Sequence, residues 1–223
     1  MQPQADPFIV PVCHEQIEIL FQDEHILLIN KPSRLLSLSG QHPLNKDSVH
    51  YRLVKQFPSA ALVHRLDFGT SGIMLVALNK EVNGLLTKQF QARATKKAYT
   101  AILHGLVPDD VGSIDFPIAK DRPNFPLQKI CQTEGKSALT NYRVLKRHKD
   151  AEVTRVLFEP VTGRTHQLRI HSQTFGYPIL GCDLYASDAA FFMADRLMLH
   201  ATSLGFDHPV SGERISGQCV CPF

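Results

Sequence analysis

The chain has 223 residues, 43% of them hydrophobic, with 24 Lys and Arg against 21 Asp and Glu for a formal net charge of +3. That is ample for one well-packed domain, and the mild basic tilt suits a polyanionic partner without demanding one. The longest apolar runs, such as 26–29 and 73–78, are far too short for a membrane-spanning helix, and the N-terminus lacks the basic start of a secretory signal. A cytosolic protein with no membrane segment is therefore expected.

Residues 1–16, with three prolines and little periodicity, read as a draped N-terminal arm. The remainder, 17–223, reads as one domain. Runs 17–21 and 26–30 around the polar tip Gln22-Asp23-Glu24 describe two paired strands. From Asp47, taken as an N-cap, Val49, Leu53 and Phe57 recur at steps of four on one face of a short helix that Pro58 closes. Residues 73–78 read as a buried strand. Val82, Leu85, Leu86 and Phe90 mark an amphipathic helix to about Arg93, and 97–107 returns to strand. The middle, 113–159, holds short β-like runs, with clear alternation at Ala138, Thr140, Tyr142 and Val144 and a further strand at 153–158. A final helix is expected from about Thr165 to Phe175, stopped by Gly176, followed by a strand over 197–206. Strands outnumber helices in irregular order, so the expected class is α+β with a mixed, largely antiparallel sheet.

Three polar clusters interrupt this pattern. His64-Arg65-Leu66-Asp67 precedes a glycine-rich turn, and by itself reads better as an Arg65–Asp67 surface ion pair than as chemistry. Gly163-Arg164-Thr165-His166-Gln167-Leu168-Arg169 opens a helix. Its Leu168, His171 and Phe175 fall on a packing face and His166 and Arg169 on a polar one, with free N–H groups at its start suited to an anion. Lys97-Ala98-Tyr99 enters a strand, where a tyrosine is more often packing than chemistry. Five scattered cysteines argue against a disulfide framework, and His14, His200 and His208 show no standard zinc spacing, so no metal is expected. Gly135-Lys136-Ser137 lacks the earlier glycine of a phosphate-binding loop, which removes a nucleotide-cleaving alternative, and a glycosidase would need a second facing carboxylate.

In order along the chain, "NKP" at 30–32, "HRLD" at 64–67 with "TSG" at 70–72, "KAYTAILHG" at 97–105, "EGKSALTNY" at 134–142, "GRTHQLRIH" at 163–171 and "LHA" at 199–201 resemble the RluA-type family of RNA pseudouridine synthases. The resemblance covers about 17–206. It implies the pseudouridine synthase fold and an enzyme that needs neither metal nor nucleotide cofactor. Asp67 then matches the essential carboxylate, Tyr99 the tyrosine packed on the uracil, and Arg169 the arginine paired with the carboxylate. Arg65 matches the arginine that helps extrude the uridine, and His64, Lys97, Arg164, His166 and Leu199 fall in motifs expected to line the substrate site. Asp67 and Arg169, about a hundred residues apart, should then lie within salt-bridge reach.

The chain departs from the family pattern twice. Arg34 stands where "NKP" is usually followed by a residue and then Gly, and Cys182 stands at the acid of the usual "GDxxY". Short length and the stretch 121–131 are most similar to the RluA subgroup, which lacks an S4-type RNA-binding domain. Members of that subgroup modify an anticodon-loop uridine in tRNA and a hairpin uridine in 23S rRNA. The expected partner is thus a structured RNA stem-loop, met by a monomer. A single-substrate paralog and a non-catalytic RNA-binding protein on the same fold are the alternatives.

Overall fold

The computed structural model describes residues 9–223; residues 1–8, the first half of the expected arm, lie outside the described residues. Residues 9–17 carry no regular secondary structure and are strapped down by polar contacts. Val10 N–H donates to Asn45 Oδ1 at 3.0 Å, and the Arg52 guanidinium donates to the carbonyls of Cys13 and Glu15.

Twelve strands and four α-helices follow among the described residues. In chain order they are β1 (Glu18–Gln22), β2 (Ile26–Lys31), α1 (Val49–Leu53), β3 (Ala61–Leu62), β4 (Ser71–Ala77), α2 (Lys80–Gln91), β5 (Lys96–His104) and β6 (Val111–Asp115). Then come β7 (Ile118–Lys120), β8 (Gln128–Ile130), β9 (Leu139–His148), β10 (Val153–Pro160), α3 (Gln167–Thr174), α4 (Asp188–Phe192), β11 (Leu199–Asp207) and β12 (Arg214–Gln218). One sheet runs β1-β2-β4-β11-β5-β10-β9-β6, with β12 on β11 and β3 on β4, while β7 and β8 form a separate hairpin. Among the strand pairings of the described residues only β4–β11 is parallel, so the α+β class with a mixed, largely antiparallel sheet is the one observed.

Local chemistry explains the elements that position the site. Asp23 Oδ1 accepts the N–H groups of His25 and Ile26 at 2.7 and 2.8 Å, closing the β1–β2 turn. Every residue of β4 is buried because the strand has partners on both edges and helices over it, which is why it reads as an unbroken apolar run. Gly72, at φ +112°, lets β4 cross onto β11: a Cβ there would lie 2.2 Å from the Ala201 carbonyl oxygen.

Three expectations are corrected. Helix α1 is capped by Ser48, whose side chain accepts from Tyr51 N–H, and ends before Phe57; Asp47 instead pairs with Arg52 at 2.6 Å. The segment 167–174 is not two-faced, since Gln167 through Ser172 are all buried. It is also not the last helix, because α4 follows it.

Two large clusters dominate the core, beside two small ones around Ile118 and Leu180. One cluster joins β2, β4, α1 and α2 and includes Leu66; the other joins β5, β9, β10 and α3 and includes Leu168 and Leu199. Tyr99 packs against both, and the seam it spans is where the polar clusters meet.

Candidate active site

The loop between β3 and β4 carries Asp67, and its backbone is tied to residues 31–37. Ser37 Oγ donates to the Leu66 carbonyl at 2.6 Å, Ser33 Oγ to that of Gly69 at 2.7 Å, and Arg34 N–H to that of Phe68 at 2.9 Å. Below them lies Lys31, fully buried at the end of β2. Its Nζ donates to the carbonyls of Pro32 (2.8 Å), Leu35 (2.7 Å) and Phe68 (3.3 Å). Burial pulls this amine down to about 7, with the Asp67 carboxylate opposing. Three carbonyl acceptors match the three N–H groups of an ammonium, and on that geometry we assign the charged form. Sequence reasoning gave Lys31 no role beyond its motif; the available signal was a lysine closing a largely apolar strand.

The Asp67 side chain, 30% exposed, accepts no hydrogen bond from any described residue and faces the cleft. The surface ion pair with Arg65 is not formed; Arg65 is exposed and has no hydrogen-bond or salt-bridge partner among the described residues. His64 braces the loop from behind. Its Nε2 accepts Leu75 N–H at 3.0 Å and its ring stacks on Phe90 with centroids 4.8 Å apart. Burial, with the Lys97 charge adding to it, pushes His64 down to about 3, so the ring is neutral.

Opposite Asp67 stands Arg169 on α3, with only 5% of its side chain exposed. Its Nη1 is 3.8 Å from Asp67 Oδ2, within the expected salt-bridge reach. Its closest partner is another carboxylate: Nη2 makes a short contact with Asp183, while Nε donates to Cys182 Sγ at 3.4 Å and the guanidinium lies 5.5 Å from the Tyr185 ring centroid. The Cys182 departure is thereby resolved, since the thiol takes the inner place and the carboxylate shifts one residue on to Asp183. Sequence reading missed Asp183 as a partner.

Helix α3 begins late because His166 adopts a left-handed conformation, φ 55° and ψ 16°. Backbone N–H groups of Gln167 and Arg169 are already bonded to the carbonyls of Arg164 and His166, so the helix start is not the open anion nest expected. Gln167 fixes the approach with all four valences of its amide. Oε1 accepts from Thr162 Oγ1 and Arg164 N–H, and Nε2 donates to the Leu139 carbonyl and Thr140 Oγ1, all within 2.8–3.1 Å. His166 Nδ1 is 2.8 Å from Tyr185 Oη, and burial lowers its pKa. Arg164 Nε donates to the Ser137 carbonyl at 3.0 Å.

Lys97 and Tyr99 alternate on β5, so both point to the same side of the strand. Burial, reinforced by Asp67, raises the Tyr99 phenol and keeps it protonated; burial and Arg93 lower Lys97. Leu199, 3% exposed, supplies an apolar wall from β11. The whole is a cleft of about 480 Å³. All nine residues singled out from the sequence line it: His64, Arg65, Asp67, Lys97, Tyr99, Arg164, His166, Arg169 and Leu199. Four cations against the single carboxylate of Asp67 make it a receptor for a polyanion, with an aromatic face and an apolar wall for a planar ring.

Comparison with known proteins agrees with this geometry. Residues 25–174 match the family model described as RNA pseudouridylate synthase. The chain is 48% identical over 205 residues to the dual-specificity RNA pseudouridine synthase RluA of Yersinia pestis, covering 92% of this chain and 99% of that protein. It is 42% identical to the Escherichia coli protein of the same name over 221 residues, covering 99% and 97%. Among solved structures, human RNA pseudouridylate synthase domain containing 1 superposes with a TM-score of 0.80 at 30% identity, covering 96% of this chain and 86% of the other.

Proposed function

The chain belongs to the RNA pseudouridylate synthase family, and from that premise we propose that it isomerises selected uridines of structured RNA, an anticodon-loop uridine of tRNA and a hairpin uridine of 23S rRNA. Residues 17–223 act as one catalytic domain in this reading, working as a monomer without cofactor. The observation that carries it is the Asp67–Arg169 pair, 3.8 Å apart in a cationic cleft beside Tyr99.

The reaction breaks the N1–C1′ bond of the uridine, turns the uracil and joins C5 to C1′; the proton lost from C5 balances the one gained at N1, so no oxidant or reductant enters. Asp67 acts as the ionised carboxylate at the ribose. A base stacked over it strips water and disfavours its charge, and Arg169 opposes that with a cation already fixed in place. Tyr99, kept protonated, packs on the uracil. Arg65, exposed at the mouth without a partner among the described residues, fills the space left by the extruded nucleotide. Lys97 and Arg164 meet phosphates, Leu199 walls the ring, and His64 and His166 hold the frame. Dual targeting is supported by several relatives of that description at 42–48% identity across most of the chain.

Pseudouridine mapping of tRNA and 23S rRNA from cells with and without the gene tests the proposal. Loss of one mark in each RNA on deletion, restored by the wild-type gene and not by Asp67→Ala, is the expected result. Loss in one RNA alone would make this a single-substrate enzyme, and restoration of every mark by Asp67→Ala would refute the role of Asp67.

A further inference from the structure

Outside the cleft, the β7–β8 hairpin and its connecting loop present an unusual combination of groups. Phe125 at the tip is 91% exposed, the most exposed large hydrophobic side chain among the described residues. Lys120, Arg122 and Lys129 flank it and are exposed. The one acid in the loop, Asp121, accepts from Asn124 Nδ2 at 2.9 Å. The loop is also rigidly built. Asp121 N–H bonds the Leu127 carbonyl at 3.0 Å, Leu127 N–H that of Asn124 at 2.8 Å, and Asn124 N–H that of Asp121 at 3.1 Å.

The hairpin is joined to the cleft by a short chain of contacts. Gln128 N–H donates to Tyr185 Oη at 2.9 Å, and that oxygen is 2.8 Å from Nδ1 of the cleft-lining His166. The Tyr185 ring also carries the Arg169 guanidinium. Three residues span at most about 11 Å, so the Phe125 backbone stays within that distance of Gln128. An apolar ring held open to water on a cationic, internally braced loop suits the face of a nucleobase whose phosphates meet the neighbouring lysines and arginine.

Building on the RNA-modifying reading above, we propose that the β7–β8 arm is a docking platform on which Phe125 stacks an unpaired base near the flipped uridine, with Lys120, Arg122 and Lys129 holding its phosphates. A protein partner fits less well, because three exposed cations surround the ring while the loop's one acid is already bonded to Asn124. Internal bracing means the ring is presented with little ordering cost on binding. Phe125 is a binding residue rather than a catalytic one.

The chain contains no tryptophan, so Phe125→Trp installs a single fluorophore at the tip. Titrating that full-length variant with an unmodified anticodon stem-loop RNA is expected to quench its emission saturably. Phe125→Ala is expected to weaken binding about 10-fold with an unchanged salt slope. Lys120→Ala with Lys129→Ala is expected to flatten that slope. Unquenched emission in a variant that binds and modifies the RNA, or unaltered affinity in Phe125→Ala, overturns the platform and leaves the enzyme reading standing. Wild-type protein that neither binds nor modifies any RNA overturns both.

Discussion

The loop that carries Asp67 and the helix that carries Arg169 face each other across the cleft and are held in opposite ways. On the loop, the backbone is fixed: the carbonyls of Leu66, Phe68 and Gly69 accept from Ser37, Arg34, Lys31 and Ser33. The Asp67 carboxylate is left open to the cleft. On the helix it is the side chains that are fixed, with the Gln167 amide saturated by Thr162, Arg164, Leu139 and Thr140 and Arg169 held by Cys182 and Asp183. One region thus offers a reactive group on a rigid backbone; the other offers a counter-charge that need not reorganise when the reaction begins. Such preorganised charge is where catalytic sites gain most of their electrostatic effect.

Removing the counter-charge is the strongest way to break this contrast. Arg169→Met is expected to lower single-turnover pseudouridine formation about 10²–10³-fold. The fold should survive, because Asp67 and Asp183 are 30% and 59% exposed and remain hydrated without the arginine. A smaller effect is expected at the partner: Asp183→Asn loosens Arg169 and lowers the rate about 10-fold, an estimate scaled from loss of one charged hydrogen bond. Cys182→Asp in that background should restore part of it, and equal rates in all three proteins would show that Arg169 needs no carboxylate seat.

Much of this arrangement is legible in the sequence, and the rest is hidden for definite reasons. Strands β2, β4, β5, β9, β10 and β11 and helix α2 show in alternation or apolar runs because each packs against a core cluster. Strand β12 and helix α4, each five residues long, have no periodicity to read and are held by pairing or capping. Helix α3 misleads because its polar residues are buried and satisfied by partners on other segments: His171, for example, bonds Thr140 Oγ1 and the Phe116 carbonyl, both at 3.0 Å. The left-handed turn at His166 then moves the helix start, which no pattern of side chains reports. Motif order brought all nine site residues together. It could not reveal Lys31 or Asp183, whose roles depend on carbonyls and a guanidinium distant in sequence.

The way the loop is braced gives a pH-dependent test. His64 is neutral when folded, at about 3, against an ordinary value near 6.5. Between those values the unfolded chain binds the extra proton, so stability is full above about pH 6.5 and falls as pH drops toward 3. His64→Gln keeps an acceptor for Leu75 N–H and does not titrate. Urea unfolding from pH 7 to 3.5 should therefore show a shallower acid loss in the variant, by up to one proton; identical slopes would mean His64 is no buried neutral brace. The smallest effect belongs to Arg34, at φ 59°. Arg34→Gly relieves the left-handed strain at the cost of a contact to the Asp195 carbonyl, and a gain of about 1 kcal/mol in unfolding free energy is expected.

The most direct test uses purified protein and an anticodon stem-loop RNA in single-turnover reactions, reading pseudouridine formed and RNA bound for wild type and Asp67→Asn. Conversion by the wild type, with none by the variant at an affinity within a few-fold of it, is the result expected of a carboxylate that acts in the chemistry and not in docking. Undiminished conversion by Asp67→Asn would contradict the assignment of Asp67.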